Sequence, residues 1–172
     1  MSRKLHIGGT AKVDGWELTN ITEFPGVDFI GDCTEFKHIP DGTYEIVYSS
    51  HVFEHLDYRT QALKALREWY RILKPGGIVM ISVPDLQTIG RLMANAATVE
   101  DEITLMRMFY GGHVDRHDYH FSGWTARTLE TFLAAVGFTN ARRAEVFGIF
   151  NDTSGLRFNG QLISLNVLAD KV

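Results

Sequence analysis

The first part of the chain is a series of short apolar runs, each running into a turn-forming or small polar residue. Residues 5–7, 16–21, 27–30 and 44–48 are strand-length and rich in β-branched or aromatic side chains, and Gly, Asn, Asp or Ser closes each. They predict four strands. Over about residues 59–73 the period changes, and Leu63, Leu66, Tyr70 and Leu73 recur at spacings of three and four, which is one apolar face of a helix. Lys74-Pro75-Gly76-Gly77 then supplies a cation for the helix C-terminus, a residue that cannot continue the helix, and glycines for the reversal. Residues 78–83 are almost continuously apolar, as a central parallel strand covered on both faces requires, and Pro84 ends the run.

Two helical patterns follow over about residues 86–97 and 99–109, the second opened by Thr98 with Asp101 three residues on, in the manner of a capping box. A polar, histidine-rich loop covers residues 110–123. Thr125 caps a further helix with Leu129, Phe132, Leu133 and Val136 on one side, and Gly137 suits its left-handed end. Two strands are expected near residues 141–147 and 162–169, joined by a loop carrying Asn151, Asp152, Gly155 and Gly160. The lack of a helix between them favours an antiparallel pair. The expected architecture is therefore α/β: a mostly parallel twisted sheet with helices on both faces and a terminal antiparallel hairpin. Ligands of such sheets lie beyond the carboxyl ends of the strands, so the segments after Ile7, Asn20, Ile30, Tyr48 and Val83 share one rim.

Composition narrows the picture. With 172 residues, 45% hydrophobic and 22% charged, the chain can bury one good core but not two. One domain over residues 1–172 is expected, with a helical and loop cap at about 86–123. The single Cys33 excludes an internal disulfide and a thiolate zinc site, so a reducing, cytoplasmic setting is expected. No apolar stretch approaches the ~20 residues that span a bilayer, and no membrane anchor is expected. Net charge is -4 and the basic residues are dispersed apart from Arg142-Arg143, which disfavours a nucleic-acid partner.

The run Tyr44-Glu45-Ile46-Val47-Tyr48-Ser49-Ser50-His51-Val52-Phe53-Glu54-His55-Leu56, followed after a helix by Leu73-Lys74-Pro75-Gly76-Gly77, resembles the centre of a class I S-adenosylmethionine-dependent methyltransferase. Leu5-His6-Ile7-Gly8-Gly9-Thr10 is similar to that family's first-strand glycine loop, and Gly31-Asp32-Cys33 to the segment after its third strand. Tyr110-Gly111-Gly112 and Asp118-Tyr119-His120-Phe121-Ser122-Gly123-Trp124 resemble a loop found in a compact group of predicted methyltransferases. The resemblance implies S-adenosylmethionine as cofactor, S-adenosylhomocysteine as product, and a small-molecule or modified-metabolite acceptor. It also implies cofactor-binding positions at Gly8, Gly9, Thr10, Asn20, Asp32, Cys33, Ser49 and Ser50, with His51 and His120 as candidate bases.

Two departures stand out. Too few residues separate the glycine loop from the second strand for the usual crossover helix, so the first helix is missing or vestigial. Asn20 occupies the position where the family carries an acidic residue for the ribose hydroxyls. It can accept and donate, but loses charge-assisted pairing worth on the order of 1–2 kcal/mol.

Structural readings compete at several positions. Gly8-Gly9 suits an ordinary turn, and Asp32 a strand terminus. Glu54 and His55 fit a buried hydrogen-bonded turn better than an acid–base pair. Asp85 either faces substrate or caps the next helix. His113, Asp115, His117, Asp118 and His120 match no zinc signature and there is no HExxH, so a solvated lid, and no metal, is expected. Residues 86–109, with Ile89, Leu92, Met93, Met106 and Met108, suit a cleft cap, core packing or burial in a homodimer.

Two rival functions compete with this one. A nicotinamide dehydrogenase needs GxGxxG opening a helix, for which residues 8–20 leave no room. A non-catalytic cofactor-binding or scaffolding protein is the alternative that Asn20 and the short crossover favour.

Overall fold

The computed structural model describes residues 3–172. The apolar runs of the first half become β1 (Lys4–Ile7), β2 (Glu17–Asn20), β3 (Phe29–Ile30) and β4 (Tyr44–Ser50). The helical pattern becomes α1 (Ala62–Ile72), followed by β5 (Leu73–Pro84), α2 (Leu86–Ala94), α3 (Val99–Tyr110) and α4 (Ala126–Val136). The chain closes with β6 (Phe138–Ala144), a small hairpin of β7 (Arg157–Phe158) and β8 (Gln161–Leu162), and β9 (Ser164–Lys171). No helix among the described residues is long and apolar enough to cross a membrane.

Seven strands form one sheet in the order β3-β2-β1-β4-β5-β9-β6. The first five run parallel, and β9 inserts antiparallel between β5 and β6. The expected mostly parallel sheet with an antiparallel end is what the chain forms. Strand β9 has a neighbour on each edge, and Leu165, Val167 and Ala169, which share one of its faces, are fully buried.

Alternation along the strands sorts the core into two sides. Leu5, Ile7, Val47, Val79, Ile81 and Val167 pack with Ala65, Leu66 and Trp69 of α1 and with Leu129 and Leu133 of α4. On the other side Trp16, Tyr48 and Met80 gather Phe147, Phe150 and Leu168, drawn from strands and connecting segments. A third cluster, Ile89, Leu105 and Ile163, packs α2 and α3 against the β7–β8 hairpin through Leu156 and Phe158. Of the sequence readings for residues 86–109, Ile89 and Leu105 therefore take the core-packing one, while Met106 remains exposed.

No helix forms between β1 and β2, as the short spacing implied. The nine residues from Gly8 to Trp16 are pinned individually instead. The Gly8 amide donates to the Thr19 carbonyl at 2.8 Å, and the Asn20 side-chain amide donates to the Gly9 carbonyl at 3.0 Å. Lys12 pairs with Asp28, whose carboxylate also accepts the Leu18 amide at 2.7 Å. Trp16 anchors the end of the crossing, edge-on to Phe150 at 5.0 Å.

The β3–β4 connection lacks a helix too, and α1 holds it. Glu68 accepts the Phe36 amide at 2.6 Å, and Arg71 donates to the carbonyls of Ile39 (2.8 Å) and Phe36 (3.1 Å). Arg71 also binds Glu68 in a fork, at 2.9 and 2.7 Å. Phe36 and Ile39 are thereby driven into the core.

Three boundaries differ from expectation for local reasons. Helix α1 starts at Ala62 because Asp57 accepts the amides of Arg59 and Thr60 and turns the chain first. Lys74–Gly77 is not a separate reversal. It bulges within β5, where Tyr44 faces Leu73 and Ile46 already faces Ile78, with Gly76 at φ +75°. Strand β6 begins directly after Gly137, whose φ of +109° ends α4.

Pairing with the Arg71 guanidinium holds the Glu68 carboxyl below its ordinary value near 4.5. A depressed carboxyl contributes stability above the unfolded value and loses it as pH falls through the folded one. Glu68→Gln is therefore expected to cost about 1–3 kcal/mol at pH 7. In urea titrations the gap from wild type should close below about pH 4; a gap independent of pH would show that the charge is not what holds this connection.

Candidate functional site

Chain order reverses direction between β1 and β4, the place where an open parallel sheet leaves a crevice at its carboxyl ends. A cavity of about 520 Å³ opens there, within the range of small-molecule sites. Gly8, Thr19, Asn20, Asp32, Cys33 and Val52 line its sheet side; His55, Leu56 and Asp57 form one wall, and Arg116, His117 and Phe121 another. The loop half of the expected cap thus reaches the cavity, whereas α2 and α3 do not line it.

The local reasons are visible in the backbone. Gly8 sits at φ +77°, and a Cβ there would overlap the Val52 side chain. Asn20 is committed at both ends, since its oxygen accepts the Thr22 amide at 3.0 Å while its amide binds the glycine loop. Asp32 forms the turn after β3 by accepting the Thr34 amide at 2.8 Å. Burial pushes the Cys33 thiol up to about 12, so it stays neutral.

Other expected positions lie elsewhere. Gly9 is packed on the His6 ring and Leu18, where a Cβ would not fit, and neither Gly9 nor Thr10 lines the cavity. Strand β4 continues through Ser50, beyond the expected end at Tyr48, so Ser49 and Ser50 alternate across the sheet instead of entering the rim. The Ser49 hydroxyl is buried without a partner, and Ser50 lies 3.3 Å from the Thr153 hydroxyl. His51 and His120 do not line the cavity either.

Both histidines belong to a buried polar cluster that shares His55 with the cavity wall. Glu54 is 1% exposed, and neither carboxylate oxygen has a hydrogen-bonding partner. His51 Nδ1 stands 3.4 Å from Glu54 Oε1 and His120 Nε2 stands 3.9 Å away. The His55 and His120 rings meet edge-on at 4.8 Å. The far nitrogen of each ring is occupied. His55 Nδ1 meets the Tyr119 carbonyl at 3.0 Å, and His120 Nδ1 meets the Met108 carbonyl at 3.1 Å. A carbonyl only accepts, so these nitrogens carry the proton and leave Nε2 as a bare lone pair. His51 Nε2 meets Ser164 Oγ at 3.0 Å, and that hydroxyl donates to the Thr153 carbonyl, which leaves His51 Nδ1 bare in turn.

Burial sets the charges. It lowers His51 and His120 to about 4, lowers His55, and raises Glu54 to about 8. At neutral pH three uncharged imidazoles surround a carboxyl group that is mostly protonated. The buried-turn reading of Glu54 and His55 matches this burial but not the missing hydrogen bonds. The sequence clue was the spacing His51-Val52-Phe53-Glu54-His55, which a single 3-10 turn (Phe53–His55) and a left-handed His51 at φ +51° fold back on itself.

Of the other histidines of this loop, His117 lines the cavity and His113 does not. His113 Nε2 donates to the Tyr110 carbonyl at 2.8 Å, and its ring stacks on Tyr119 at 4.0 Å. Asp85 takes its capping role, accepting the amides of Gln87 and Thr88 and pairing with Arg143 at 3.2 Å.

Comparison with known proteins adds a family. A methyltransferase-domain family matches residues 9–142. A probable methyltransferase of Aspergillus luteorubrus, ltbC, is 37% identical over 73 residues, which is 41% of this chain and 26% of that protein. The chain thus spans about a quarter of this curated relative. A SAM-dependent methyltransferase structure from Archaeoglobus fulgidus superposes with a TM-score of 0.62 at 18% identity, covering 99% of this chain and 86% of its own. Human N-acetylserotonin methyltransferase, solved with SAM, gives 0.59 at 14% identity, covering 98% and 47%. At these identities the likeness is one of fold. The non-catalytic scaffolding alternative draws no support from any of them.

Gly8→Ala is expected to cost about 1–3 kcal/mol, from the left-handed backbone and the Val52 overlap. Gly31→Ala borders the same cavity, has nothing within 4 Å of its added carbon, and should melt like wild type. Equal melting temperatures for both variants would mean that the glycine loop is not packed this tightly.

Proposed function

Because the chain belongs to the methyltransferase-domain family, matched over residues 9–142, we propose that the rim cavity binds S-adenosylmethionine and that the protein transfers its methyl group to a small or medium-sized acceptor. The observation that carries this reading is the convergence of Gly8, Asn20, Asp32 and Cys33, from the ends of β1, β2 and β3, on one cavity of about 520 Å³.

The cavity fits the cofactor in chemistry as well as size. Gly8, whose Cβ position is filled by the Val52 side chain, presents backbone where it lines the cavity. Asn20 keeps a second lone pair on its oxygen for a ribose hydroxyl, and Asp32 keeps one carboxylate oxygen for the adenine amino group. Cys33, neutral and apolar, suits the adenine face.

The sulfonium supplies the chemical activation when the cofactor is bound. The residues then have to hold the acceptor's nucleophile in line and keep water out. Phe121 and His117 stand at the wall opposite the sheet, where an acceptor would enter. His51 and His120, the expected bases, do not line the cavity, whereas His55 and His117 do, so no base is assigned from position alone.

Calorimetric titration of the full chain with S-adenosylmethionine and S-adenosylhomocysteine tests the reading. Saturable binding is expected, weakened about five- to thirty-fold by Asn20→Ala, the equivalent of about 1–2 kcal/mol. No binding at ~1 mM of either ligand, a free energy of only about -4 kcal/mol, would remove the basis for methyl transfer.

A further inference from the structure

The Glu54 cluster has a purpose that the methyl-transfer reading does not use. We propose that Glu54, His55 and His120 form a binding site for a divalent transition-metal ion of the zinc class. One ligand atom from each lies within 4.8 Å of the others. Bonds of about 2.1 Å place tetrahedral ligands about 3.4 Å apart, so the three side chains need to close by only about an ångström.

Three features make this a built site rather than a chance grouping. The Nδ1 atoms of His55 and His120 are fixed by the carbonyls of Tyr119 and Met108, the outer hydrogen bond that metal-ligating histidines characteristically make. Their Nε2 atoms are bare, which is the ligating form. The Glu54 carboxylate, 1% exposed, has no hydrogen-bonding partner, an arrangement that is costly unless something compensates it. His51, 3.4 Å from the same carboxylate and anchored on Ser164, completes the surround as an outer group.

Two nitrogens and one carboxylate oxygen select zinc or iron over magnesium or calcium, which prefer all-oxygen sites. Three protein ligands leave a coordination position open, and His55 sets the ion at the cavity wall. An ion there would clip the loop of residues 110–123 to the turn after β4, joining two segments that otherwise meet through backbone hydrogen bonds such as Phe121 to Glu54 at 2.9 Å. The site stands independently of the methyl donor, and its test contains none.

Metal-stripped full-length protein is titrated with Zn²⁺ by calorimetry, with metal content measured after dialysis. About one ion per chain is expected, with a rise in melting temperature as Zn²⁺ is added. Glu54→Gln and His120→Asn should each weaken uptake more than about a hundredfold, beyond what loss of an outer partner costs. His113→Asn, in the same loop but turned away, should bind as wild type does. Should the Glu54 and His120 variants not fold, as judged by circular dichroism, Co²⁺ bound to the wild type decides. Intense visible bands of low-coordinate nitrogen and oxygen ligation, with no thiolate charge-transfer band, support the site. A weak, aqueous-like spectrum overturns it, as do failure of the folded wild type to take up Zn²⁺, uptake that survives in the Glu54 and His120 variants, or uptake lost in His113→Asn.

Discussion

A parallel strand pair needs its connection to travel back along the first strand before the second can start, and a helix usually makes that journey. Here nine residues make it. They are long enough when extended, at about 3.3–3.6 Å per residue, to return past a four-residue strand, but they lack a helix's ladder and make only such local bonds as the Trp16 amide to the Val13 carbonyl at 3.1 Å. The crossing must therefore be tied to its surroundings point by point, by Asn20 to Gly9, Lys12 to Asp28, and Trp16 to the aromatic cluster on Tyr48. Those ties hold Gly8 against Val52 and Asn20 at the rim, so the mouth of the cavity depends on them.

This changes how Asn20 is understood. A carboxylate at this position could not donate to the Gly9 carbonyl and would repel it. The amide braces the glycine loop through Gly9 while its oxygen holds the Thr22 amide. Glu68 and Arg71 do the same for the β3–β4 connection, which also runs without a helix and relies on a side-chain fork for its carbonyls and amide.

The buried Glu54 cluster shows the opposite economy. An unpartnered buried carboxyl group stands among three imidazoles, and low polarity makes its unmet oxygens costly. The segments that carry them come from β4's end, its following turn, the loop after α3 and, through Ser164, β9. Such a junction fixes the relative placement of the cavity wall and the loop that reaches over it.

Apart from the β7–β8 hairpin, which falls where a loop was expected, the order of strands and helices, the absent first helix, the caps at Thr98, Thr125 and Gly137, and the central parallel strand were legible in the chain, because they follow from local periodicity, spacing and backbone preference. Gly8, Asn20, Asp32 and Cys33 were legible as rim residues because each directly follows or ends an apolar run. The fate of Ser49, Ser50, His51 and His120 was not. Two more residues of β4 pairing send consecutive side chains to opposite faces, and no local pattern reports where a ladder stops. The meeting of Glu54 and His55 with His120 required the 110–123 loop to fold across the turn after β4, a contact between segments far apart in the sequence. Local preference chose the elements of this protein; long-range packing alone chose which polar side chains would meet.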